Sequence, residues 1–229
     1  MTSTAASKKL RRIRSFVRRE GRFTAAQRQA ITKHWSDYGI DFQEQVLPLG
    51  EVFCQAGPVT LEIGFGRGDS LFAMAQQFPE KNFLGVEVHG PGVGSLIARA
   101  AEVGLTNLKV IQHDAVEVLQ EMIPDQSIAE VLIFFPDPWP KKRHHKRRLI
   151  QVPLLDLLAA KLQALGMVHV ATDWQQYGKQ IQGLFDNCAK FRSDPASILL
   201  AKEVRCKTKY EQRGERLGHQ IWDLVYRKV

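Results

Sequence analysis

Val59-Thr60-Leu61-Glu62-Ile63-Gly64-Phe65-Gly66-Arg67-Gly68-Asp69 is the stretch on which the fold of this chain turns. An apolar, β-branched run over residues 59–63 stops at three glycines at alternate positions. Behind them Ser70-Leu71-Phe72-Ala73-Met74-Ala75 has helical character. Strand, glycine turn and helix in that order are how an α/β domain opens a nucleotide site. Glycine lets the backbone turn tightly and approach a ligand without a Cβ in the way. Glu62 stands inside the apolar strand, two residues before the first glycine. A carboxylate there is costly to bury unless it has a partner.

A second strand follows the helix, Asn82-Phe83-Leu84-Gly85-Val86-Glu87-Val88, and Glu87 lies 19 positions past Gly68. A carboxylate at such a strand end can accept from both hydroxyls of a ribose. NAD enzymes use the same device, so the glycines must discriminate. Gly64-x-Gly66-x-Gly68 differs from the G-x-G-x-x-G of dinucleotide sites. It resembles the first motif of S-adenosylmethionine (SAM) methyltransferases, whose cofactor has no pyrophosphate to place.

The chain of 229 residues can bury one large core. Cys54, Cys188 and Cys206 are far apart. That argues against a disulfide framework or zinc site, suits a reducing compartment, and leaves no metal expected. With no apolar run of spanning length and no signal core, the expected location is cytoplasmic, away from membranes. Oligomeric state stays open between monomer and homodimer. Net charge is +8, concentrated in two places. Residues 1–22 carry eight Lys/Arg against one acid, and residues 141–148 carry six Lys/Arg and no acid. The rest is net acidic, so the two concentrations form a footprint for a polyanion.

Residues 1–22 are expected to be a basic, mobile arm, and residues 23–229 a single domain. A helix is expected over 24–38, opening at Thr24, with Trp35 and Tyr38 packed on the main body. Residues 39–58 read as an irregular connection. From Val59 a βαβ rhythm predicts strands at 59–63, 82–88, 107–112, 128–135 and 166–172. Helices are predicted at 69–78, 92–103, 115–122, 150–164 and 174–190. Residues 197–203 and 221–227 read as two last strands around a charged segment. The expected architecture is α/β and Rossmann-like. It has a mostly parallel seven-stranded sheet, helices on both faces and an antiparallel C-terminal strand.

Ligands of such sheets bind outside the carboxyl ends of the strands. An acid stands near each of five such ends: Glu62, Glu87, Asp114, Asp137 and Asp173. Asp114 can also serve as a helix N-cap. A row of carboxylates on one rim suits a cationic ligand bearing hydroxyls and an amine. The fourth strand runs into Pro136-Asp137-Pro138-Trp139-Pro140 and then the basic run. Three prolines in five residues leave that loop little freedom. A stiff loop with an acid and a tryptophan can hold a flat base, while the cations behind it take phosphates.

At this point the resemblance is specific. Leu61 to Gly68, Gly85-Val86-Glu87, Phe135 to His144, Ala171-Thr172-Asp173 and Thr208-Lys209-Tyr210-Glu211 together resemble the bacterial tRNA (guanine-N7-)-methyltransferase family. The resemblance implies SAM as cofactor and tRNA as partner. It implies methyl transfer to N7 of guanosine 46 in the variable loop. It places the cofactor against Glu62, Gly64, Gly66, Gly68, Glu87, Asp114, Ala115 and Asp137, with Asp137 also catalytic. It places the substrate nucleotide against Lys141, Asp173, Thr208, Lys209, Tyr210 and Glu211. RNA backbone falls to Arg143, His144, His145, Lys146, Arg147 and Arg148. Asp173 and Glu211 are candidates for reading the guanine edge. The rival readings are a SAM methyltransferase with another substrate, an NAD oxidoreductase, and a non-catalytic RNA-binding protein. The first would not need the basic run, the second is disfavoured by the glycine spacing, and the third leaves five rim acids unexplained.

Overall fold

A computed structural model describes residues 14–16, 21–205, 211, 216, 218 and 220–229. Helix α1 (Ala25–Tyr38) begins at a reciprocal cap. Thr24 Oγ1 accepts from the Gln27 amide at 3.2 Å, and Gln27 Oε1 accepts from the Thr24 amide at 2.9 Å. The helix lies on the main body as expected. Tyr38 is buried and donates to Ala100 O at 3.1 Å, and Trp35 is half-buried with its indole N–H on Asp41.

The strands β1 (Gly39–Ile40), β2 (Val59–Ile63), β3 (Asn82–Val86), β4 (Leu108–Ile111), β5 (Ile128–Phe134), β6 (Leu162–Thr172), β7 (Phe191–Ser193) and β8 (Trp222–Lys228) form one sheet. Its order is β1-β4-β3-β2-β5-β6-β8-β7. Strand β8 is antiparallel to both its neighbours, and the other pairings are parallel. The helices are α2 (Leu49–Val52), α3 (Asp69–Gln77), α4 (Gly90–Glu102), α5 (Ala115–Glu121), α6 (Val152–Lys161), α7 (Gln175–Asp186) and α8 (Ile198–Val204).

Side chains alternate across the sheet, as the period of two requires. Val59, Leu61 and Ile63 of β2 join Val131 and Ile133 of β5 in a core closed by α5, α6 and α7. Phe83, Leu132 and Phe134 point the other way, into a second core closed by α1, α3 and α4. Glu62 shares that second face, since it pairs with Gly85 and Leu132.

Three sequence expectations need correction. The sheet has eight described strands where seven were expected, because the "irregular" stretch after α1 places Gly39 and Ile40 beside Val110 and Ile111. Residues 197–203 are helical, not a strand. Asp194 accepts from the Ser197 amide and hydroxyl, which starts a turn that α8 continues. Its apolar run Ile198-Leu199-Leu200 is too short for periodicity to choose between helix and strand. The penultimate strand is instead β7, which pairs with β8. Leu162 also belongs to β6, although its spacing fits the period of α6.

Candidate cofactor and RNA site

Strand β2 lies between β3 and β5, so successive crossovers leave it in opposite directions. The crevice beyond its carboxyl end is the switch point where such sheets bind ligands. A cavity of about 440 Å³ opens there. Gly64, Gly66, Glu87, Asp114, Ala115 and Asp137 line it together.

The glycine turn is held from two sides. Gly64, Gly66 and Gly68 all have positive φ (75°, 58° and 72°), a conformation in which other residues are strained. The Gly66 amide donates to Glu87 Oε2 at 2.8 Å, while Glu87 Oε1 accepts from the amides of Val88 and His89 at 2.7 and 2.9 Å. One carboxylate therefore ties the loop after β2 to the loop after β3. Helix α4 packs so closely that a Cβ on Gly92 would sit 1.9 Å from Gly66 O.

Glu62 is 3% exposed, and its Oε2 has no hydrogen-bond partner among the described residues. Burial first, then the charges of Glu87 and Asp69, push its carboxyl up to about 8 against the opposing pull of Arg205. An unpaired acid below a glycine turn fits a ligand that brings a cation. Asp114 is both N-cap and rim residue: its Oδ1 accepts from the Val116 amide at 3.0 Å. Glu62, Gly68 and Asp173 do not line the cavity. Glu62 lies within β2, Gly68 caps α3, and half-buried Asp173 follows β6.

The loop after β5 is conformationally costly. Phe135 and Trp139 have φ of +50° and +43°, and three of the residues at 136–140 are prolines. The Phe135 amide extends the sheet ladder by one bond to Ala171 O at 2.8 Å. The Trp139 indole N–H donates to Ser15 O at 2.9 Å, and Ser15 and Phe16 are among the residues that line the cavity. Asp137 is exposed at the rim. Burial, with the nearby Asp137 charge adding to it, raises the pKa of the Tyr177 hydroxyl.

A 3₁₀ segment, Lys142–Arg147, follows. Lys141, Lys142, Arg143 and Lys146 are exposed, and His144, His145 and Arg147 are half-buried. Arg147 stacks over Trp139 at 4.8 Å, and His144 meets that ring edge-on. Arg148 differs from its neighbours: it is 2% exposed and points inward. Thr208, Lys209 and Tyr210 lie outside the described residues. Glu211 is buried and accepts from both terminal nitrogens of Arg205, at 2.6 and 2.9 Å. Arg205 also lies 3.3 Å from Asp223, which pairs with His169 at 2.9 Å, and over the rings of Phe134 and Phe135.

Sequence reasoning missed several cavity residues, among them Val88, His89, His113 and Leu149. Val88, His89 and His113 stand two or three residues past a strand end, so the strand-end rule could have named them. His113 is stacked flat on Phe42 at 3.7 Å and bonded to Glu117 at 2.6 Å. Phe42 lies far off in sequence and carried no signal.

Among the described residues no helix is long and apolar enough to cross a membrane. The chain matches the family Methyltransf_4, described as "Putative methyltransferase", over residues 56–224. It is 53% identical to a tRNA (guanine-N(7)-)-methyltransferase of Sodalis glossinidius, covering 96% of this chain and 93% of the relative. It is 50% identical, with the same coverage, to one of Escherichia coli (strain K12). Among solved structures, the aminoglycoside resistance methyltransferase NpmB1 aligns with a TM-score of 0.52 at 15% identity. That alignment covers 81% of this chain and 95% of NpmB1, a likeness of fold alone. The carboxylate-rimmed switch point, the proline-stiffened acidic loop and this half-identity over nearly the whole length place the chain in the tRNA (guanine-N(7)-)-methyltransferase family.

Proposed function

We propose that this protein transfers a methyl group from S-adenosylmethionine to N7 of guanine in tRNA, at guanosine 46 of the variable loop. The observation that carries the reading is contiguity: the acidic cavity and the exposed cations of residues 141–147 meet at Asp137. Family membership supports both halves. The cavity falls in the ordinary size range of a cofactor pocket.

The residues present suit that cofactor. Glu62, whose Oε2 has no partner among the described residues, answers an amino group, and Glu87, which already accepts from three backbone amides, keeps about one lone-pair site for a ribose hydroxyl. When bound, S-adenosylmethionine supplies an electrophilic methyl on a sulfonium. Guanine N7 carries an in-plane lone pair and no proton, so no base need remove one. The work left to this chain is positioning and electrostatics. Asp137 orients the base and favours the positive charge that passes onto it. Asp173, which follows β6 outside the cavity lining, is our candidate for accepting from N1–H and the exocyclic amine, a pattern adenine cannot offer. Glu211, the other candidate, is engaged by Arg205 through both carboxylate oxygens.

A pair of transcripts tests the reading. Labelled methyl should enter a tRNA with guanosine at position 46 and fail to enter the same tRNA with adenosine there. Equal labelling of both would move the target elsewhere.

A further inference from the structure

The basic run holds six lysines and arginines, and their alignment behind the acidic loop invites one role for all. Arg148 departs from it. Its guanidinium is turned into the protein and used on three sides. Nε donates to Pro138 O at 2.8 Å, Nη1 donates to Gln180 Oε1, and Nη2 reaches Gln176 Oε1 at 3.4 Å. The plane lies over the Tyr177 ring at 4.8 Å. Tyr177 in turn accepts from the Ile150 amide at 3.0 Å, closing the knot under the loop.

The partner on the loop matters. Pro136, Pro138 and Pro140 have no N–H, so this segment has few backbone donors with which to anchor itself. Carbonyls must serve, and Pro138 is the residue directly after Asp137. Phe135 and Trp139, on either side, both sit in a left-handed conformation that persists only when the surroundings enforce it. A rigid, planar, multi-donor group fixed on α7 is the means of enforcement that a lysine lacks.

We infer that Arg148 is a positioning residue for methyl transfer, holding the Asp137 loop through Pro138, and makes no contact with RNA phosphate. This rests on the reading above that Asp137 acts on the guanine. Wild-type methylation of tRNA checks that reading by itself. The inference is judged on variants relative to wild type.

Arg148→Lys keeps the charge but cannot make the three-sided contact, and Gln180→Ala removes a partner while leaving the guanidinium. For both, kcat is expected to fall about 10- to 100-fold. The tRNA Kd and the slope of log K against log salt should match wild type. Arg147→Ala is the contrast, with its slope reduced in magnitude by about 0.7–0.9 for one lost phosphate contact. Thermal melting shows whether each variant is folded. Should Arg148→Lys prove unfolded, Gln180→Ala carries the same comparison. Wild-type kcat in the folded variants overturns the inference. So does a salt slope lowered in Arg148→Met as in Arg147→Ala, or a parallel loss of kcat, SAM affinity and tRNA affinity, which would mark general structural damage.

Discussion

Glu62 is where the physics of single residues is most exposed to test. Its carboxyl is held up to about 8 by burial and by neighbouring acids, against an ordinary value of 4.5. Between those values the unfolded chain releases a proton that the folded chain keeps. Stability is therefore lost as pH rises through that window, at up to about 1.4 kcal/mol per unit, and levels off above it. Glu62→Gln removes the dependence. Its melting temperature relative to wild type should climb between pH 5 and 8.5, and a constant offset would refute the assignment. A cation bound beside Glu62 would favour the ionised form. Titration of S-adenosylmethionine near pH 7 should then release a proton, seen as a buffer-dependent heat, and Glu62→Gln should abolish that dependence. Asp137 makes a different prediction. Asp137→Ala should lower turnover by roughly 100-fold while changing cofactor affinity about threefold or less, since its contribution belongs to the reacting base. Near-normal turnover would remove it from the chemistry.

Among elements, α4 lies close against the glycine turn. Gly92→Ala forces a methyl into Gly66 O, and no rotamer relieves a clash with backbone. The expected cost is about 1–3 kcal/mol, with weakened cofactor binding, because the displaced Gly66 amide is a donor to Glu87. Thermal denaturation with cofactor titration checks both. Thr24→Ala, by contrast, should cost about 1 kcal/mol through loss of the α1 cap. What was legible follows the same division. Strands β2 to β5 and the helices between them announce themselves by length, glycine and apolar period. So do the rim acids Glu87, Asp114 and Asp137, because strand ends are local features. Strand β1 is two residues long and exists through its pairing with β4, which no local pattern encodes. The helix α8 depends on the turn at Asp194, and Phe42 reaches His113 only through tertiary packing. Arg148 looked like its neighbours because charge can be read from sequence and the direction of a side chain cannot.

In the whole molecule an acidic hollow adjoins a cationic lip. With Arg148 turned inward, Lys141, Lys142, Arg143, Lys146 and Arg147 remain to face a polyanion. If each neutralises one phosphate, log K for tRNA should fall with log salt at a slope of about −3.5 to −4.5. A slope near zero would leave the lip without a role. The most direct measurement of the central claim is product analysis. The protein is incubated with methyl-labelled S-adenosylmethionine and bulk tRNA lacking 7-methylguanosine, and the RNA is then digested to nucleosides. Label is expected in 7-methylguanosine alone; label in another nucleoside, or none in RNA, would overturn the assignment.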